Sequence, residues 1–170
     1  RRALEASAHG AMLAALRAWL TSGAWRAGLG RDASRRLDHP CRKIAGAILD
    51  RAYRAACKRG ADIEGLSAEQ RHALRKAMKR LRYGAEFLAS LYPAKDVRAF
   101  LDATEQLQDV LGRLNDAATV ASLADRPAMA RAADPAERAA LAAWAGAGRA
   151  GDLEALDRDW AAFTAAKPFW

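Results

Sequence analysis

Residues that favour strands are scarce in this chain of 170 amino acids: three Val, three Ile and four Thr. Alanine abounds instead, so helix propensity favours an all-α reading. Cysteine is limited to Cys41 and Cys57. On one expected helix they stand about 24 Å apart, cannot bridge each other within it, and lack metal-ligand spacing. That usage fits a reducing, cytoplasmic setting. The three histidines, His9, His39 and His72, fall on different expected helices without the i, i+4 spacing of a helical zinc site. No glycine-rich phosphate loop and no serine in a nucleophile elbow is present. Nothing approaches a membrane span, and the apolar run Ala11–Leu20 contains Arg17 and lacks a cleavage site, so it reads as an amphipathic helix. No catalytic residue, metal or cofactor is expected, and the chain is read as a non-enzyme.

What is present is hydrophobic content of 52%, charged content of 28% and a net charge of +8, the composition of a globular protein with an uneven field. Residues 1–92 carry 19 Lys/Arg against 8 Asp/Glu, whereas residues 93–170 carry 9 against 12. An anionic partner is the expectation from a positive first half.

The hydrophobic period predicts an antiparallel bundle of about six helices in one domain, residues 1–170. The first covers Arg2–Leu20 with Leu4, Leu13, Leu16 and Leu20 as its apolar stripe, and Gly23, Gly28 and Gly30 break the pattern after it. The second runs His39–Arg59, with Asp38 as N-cap and Gly60 as its end. The third starts after Ser67, whose spacing to Gln70 makes a capping box, and stops near Tyr92 before Pro93. The fourth occupies Asp96–Leu123, with Leu101, Leu107, Leu111 and Leu114 facing the core and Gly112 letting another backbone approach. Pro127 and the small residues after it form a loop, a fifth helix runs from Pro135 to Gly146 or Gly148, and Asp152 caps a sixth.

The third helix carries the functional signal. At about 100° per residue, His72, Arg75, Lys76, Lys79, Arg82, Tyr83 and Glu86 fall on one side, while Ala73, Leu74, Ala77, Met78, Leu81, Ala85, Leu88 and Leu91 fall on the other. Helix faces usually mix signs at i, i+4 to relieve repulsion, but here like charges sit side by side. On the second helix Lys43, Arg51, Arg54 and Lys58 share a face opposite Leu49 and Tyr53. The two helices side by side would make a basic trough. Glu105, Asp109 and Asp116 are expected to pair with the cationic helix, and Gln108 and Asn115 to make polar contacts inside a helix pair.

The pattern His72-x-x-Arg75-Lys76-x-x-Lys79-x-x-Arg82-Tyr83-x-x-Glu86-Phe87 resembles the signature of the CHAD family (conserved histidine α-helical domain). Leu107-Gln108-Asp109-x-Leu111-Gly112-x-x-Asn115-Asp116 resembles that family's second marker, and Trp160-x-x-Phe163 with Pro168-Phe169-Trp170 its C-terminus. Residues 1–66 fit less distinctly. The resemblance implies two helical lobes around a basic groove and binding of inorganic polyphosphate, often beside a phosphatase domain or on polyphosphate granules. Phosphate or sulfate would be stand-in ligands. It places ligand contacts at His72, Arg75, Lys76, Lys79, Arg82 and Tyr83; Arg51, Arg54 and Lys58 join them by the helical-face argument alone. Because one full motif is present, the chain is expected to be the C-terminal portion of the family fold, or to have its groove completed by a second half or a second copy. The alternatives are a nucleic-acid-binding module and an accessory domain that feeds polyphosphate to a phosphatase.

Overall fold

A lysine- and arginine-rich helix must lay its apolar stripe on a neighbour, and the computed structural model, which describes residues 7–124 and 126–170, shows how. Among the described residues every regular element is helical: α1 Ser7–Ser22, α2 Arg31–Leu37, α3 Cys41–Arg59, α4 Ala68–Leu88, α5 Ala94–Ala124, α6 Pro127–Ala132, α7 Pro135–Gly146 and α8 Arg149–Ala165. Short 3-10 turns follow α1 and α4. The chain divides at Pro40 into two units.

In the first unit, α1 ends at Gly23, whose φ of 69° is the left-handed turn that glycine adopts without steric cost. Leu4 lies outside the described residues, and Leu13, Leu16 and Leu20 are exposed. The glycine-broken stretch holds a helix that the hydrophobic period does not announce, because α2 is seven polar-rich residues long. Asp38 does not cap α3. Its carboxylate accepts a hydrogen bond from the Arg26 guanidinium.

In the second unit, α3, α4 and α5 pack in sequence, and α5 also packs on α7 and α8. The capping box opens α4: Ser67 Oγ accepts from the Gln70 amide at 3.2 Å, and Gln70 Oε1 accepts from the Ser67 amide at 2.7 Å. Leu74, Met78 and Leu81 of α4 meet Leu107, Leu111 and Leu114 of α5 and Leu156 and Phe163 of α8 in one buried cluster. Each such side chain contributes about 1.5–3 kcal/mol by leaving water. Leu101, the remaining expected core residue of α5, is only partly buried.

The chain end closes on this core. Phe100 is ringed by Phe163, Phe169 and Trp170, the last in an edge-on contact at 5.1 Å. Tyr92 donates to the Arg42 carbonyl at 3.2 Å, and burial raises the pKa of Tyr53 and Tyr92 above the ordinary 10.0. Gly60 both ends α3, through its amide to the Ala56 carbonyl at 3.1 Å, and makes room for Trp160, whose ring would overlap any added Cβ.

Three local expectations are corrected here. The Pro127 segment is a helix, α6, with proline in its first turn, where its missing N–H costs nothing. Asp152 lies inside α8 rather than capping it; the cap position belongs to Gly148 at φ 80°, and the Asp152 carboxylate accepts from Arg113 Nε at 2.7 Å. Gly112 admits no other backbone: a Cβ there would meet nothing within 4 Å.

Candidate functional site

The cations of α4 have two neighbours to face, because α3 packs along one flank and α5 along the other. A stripe that looks single on a helical wheel therefore splits. Lys76 and Arg80 turn into the α3–α4 cleft, where they meet Arg51 and Arg59 of α3. Arg75, Lys79 and Arg82 turn into the α4–α5 cleft, where they meet Gln108, Asp109, Arg113 and Asp116 of α5. His72 and Tyr83 stand exposed near the two ends of the row. Arg54 and Lys58 are exposed and line neither cleft, and Arg54 is paired within its own helix with Asp50.

The α3–α4 cleft encloses about 380 Å³ and its charged lining is Arg51, Arg59, Lys76 and Arg80, with no acid. Its apolar lining includes Ala52 and Ala77, with Ile48 exposed at the edge. Among the described residues none of these four cations makes an ion pair within 4 Å. Arg59 spends one N–H on the Ala55 carbonyl at 2.9 Å. Four like charges beside an apolar lining repel one another and are stabilised when an anion bridges them.

The α4–α5 cleft, about 360 Å³, is of mixed sign. It lies between two polar ties. Arg82 donates to Glu105 Oε1 at 3.2 Å at one end, and His72 Nδ1 meets Asn115 Oδ1 at 2.6 Å at the other. Both ties are separated by ten residues along each helix, about 15 Å, which fixes α4 and α5 as antiparallel. Between them Arg75 and Lys79 are half-buried. Asp109 and Asp116 share the cleft with them, yet neither forms an ion pair with them within 4 Å. Glu105 alone pairs with the cationic helix as expected. Arg82 also approaches Glu86 at 3.4 Å. Gln108 is buried in the wall with its Nε2 unpartnered, a free donor facing a polar space.

Arg59, Arg80 and Arg113 are lining residues absent from the sequence expectation. Arg59 and Arg80 had a readable signal, since they lie eight and four residues beyond Arg51 and Lys76, about two turns and one turn along the same flank. Arg113 had one too, since it lies four residues after Asp109 and three before Asp116 on the same face of α5.

Among the described residues no group of three His, Cys, Asp or Glu side chains could hold a metal, and no helix is long and apolar enough to cross a membrane.

An all-α helical protein is the class these features define. The chain belongs to the CHAD domain family, whose match runs over residues 1–125. That span takes in residues 1–66, where the motif resemblance is faint, together with the α4 row and the Leu107–Asp116 block. It stops before the Trp160 and Phe169-Trp170 block, whose aromatic residues are accounted for by core packing. No curated protein and no solved structure matches the chain.

Proposed function

We propose that the second unit is a non-catalytic module that binds inorganic polyphosphate, seated in the α3–α4 cleft and crossing the α4 crest. The observation that carries this reading is the acid-free lining of that cleft by Arg51, Arg59, Lys76 and Arg80. Polyphosphate is a flexible string with about one charge per phosphate and no bases, so its receptor needs cations repeated along a line. Residues three or four apart on a helix rise about 5 Å, which supplies that repeat. Arginine grips two phosphate oxygens at once, and lysine follows as a mobile point charge. His72, Arg75, Lys79, Arg82 and Tyr83 extend the contact surface toward α5. Family membership favours this ligand, and a place on polyphosphate granules or beside a phosphatase domain fits the same role.

The test is retention on immobilised long-chain polyphosphate. Lys76→Ala with Arg80→Ala removes retention and leaves the melting temperature unchanged. Arg75→Ala with Lys79→Ala weakens it less. The reverse order moves the anion to the α4–α5 cleft, and retention by both double variants ends the reading.

A nucleic-acid reading has one observation in its favour. Tyr83 and Phe87, one turn apart on α4, are 51% and 84% exposed, and Lys79 and Arg82 lie within 6 Å of the Tyr83 ring. Exposed aromatics beside cations can stack bases of a single strand. Competition of single-stranded DNA with polyphosphate on equal terms, lost in Phe87→Ala, would favour it.

A further inference from the structure

A third cavity lies away from both clefts, between the start of α4, the C-terminal half of α5, α7 and the start of α8, and encloses about 410 Å³. That volume falls within the roughly 300–1,000 Å³ of small-molecule sites. Its walls are methyl groups, among them Ala118 and Ala121 of α5 and Ala142 and Ala145 of α7. Alanine faces on neighbouring helices offer no long side chain to fill the space between them. Two charges of one sign line this chamber, the half-buried Arg71 of α4 and, at its rim, the exposed Arg149 of α8.

Among the described residues neither arginine has an ion-pair partner within 4 Å. Arg71 donates to the Leu66 carbonyl, which orients its guanidinium without neutralising it. Burial and the nearby Arg149 charge both lower the Arg71 pKa. Two like charges beside an apolar wall are costly to hold together unless an anion sits between them. No other polar side chain lines the chamber, so it suits a head with two oxygens and one charge; a phosphate would leave further oxygens without a side-chain partner.

We propose that this cavity binds a small amphiphilic monocarboxylate, its carboxylate held between Arg71 and Arg149 and its apolar body among the alanines of α5 and α7. The site is separate from the polyphosphate cleft. Its α5 residues, Ala118 and Ala121, point away from the side of α5 that carries Gln108, Asp109 and Gly112, by the 100° step of the helix. Failure here leaves the polyphosphate reading intact, and the converse also holds.

Titration calorimetry on the whole chain, with octanoate as probe and octylamine as the same tail with the opposite charge, tests it. Octanoate binds with a dissociation constant below about 1 mM and octylamine does not. Arg149→Gln, a change at an exposed helix start, weakens octanoate at least about tenfold. Ala121→Leu, which fills the chamber, does the same, and neither variant alters polyphosphate retention. Absence of octanoate binding overturns the proposal. So does equal binding of octylamine, or affinity unchanged in Arg149→Gln. Should Ala121→Leu fail to fold, the arginine variant and the amine control decide by themselves.

Discussion

His72 and Asn115 join α4 to α5 through Nδ1 and Oδ1 at 2.6 Å. The Asn115 amide is oriented by its other end, because Nδ2 donates to Asp116 Oδ1 at 3.3 Å. Its oxygen faces the His72 ring, which stands one turn from Arg75 and Lys76. His72→Ala should therefore weaken polyphosphate retention, by less than Lys76→Ala does. Unchanged retention in the variant would remove His72 from the binding surface.

Salt should report the number of cations engaged. The α3–α4 cleft offers four. By analogy with single-stranded nucleic acid, at about 0.7 per neutralised phosphate, these four alone should make the logarithm of affinity fall against the logarithm of salt with a slope of about −3, steeper where Arg75, Lys79 and Arg82 also engage the chain. Lys76→Ala should make it shallower by about 0.7. A slope near zero would mean that charge does not hold the ligand.

Gly112 lies in the interior of α5, and a Cβ there meets nothing within 4 Å. Gly112→Ala should therefore stabilise the fold by about 0.5–1 kcal/mol, the usual gain of alanine over glycine within a helix. Urea unfolding measures it, and a loss of stability would mean that the cleft is tighter than it looks.

Gly60 gives the opposite expectation from the same kind of substitution. Its added Cβ would overlap the Trp160 ring, and the ring packs on the main core. Gly60→Ala should cost about 1–3 kcal/mol, as overpacking does. Restored stability in the double variant with Trp160→Leu would tie the cost to that contact.

Much of the fold is legible in the residues because its signals are local. The Ser67–Gln70 box, the α4 stripe of Leu74, Met78 and Leu81, and Pro135 at the start of α7 each act within one or two turns, and all three stand where the letters place them. Short helices such as α2 and α6 escape notice, since six or seven residues are too few to show a period. The assignment of Asp38 and Asp152 as caps fails because each carboxylate has a distant arginine to bind instead.

The candidate site divides along the same line. That α4 would present a row of cations follows from the i, i+3 and i, i+4 spacing of Arg75, Lys76, Lys79 and Arg82, which any α-helix enforces. Which cation faces which neighbour does not follow, because a helix flank has no meaning until another helix lies on it. Tertiary packing alone sends Lys76 and Arg80 toward Arg51 and Arg59, and turns Arg75 and Lys79 toward Asp109 and Asp116. The covalent order sets the number and spacing of the charges; the close approach of helices remote in sequence sets which of them share a cleft with an acid.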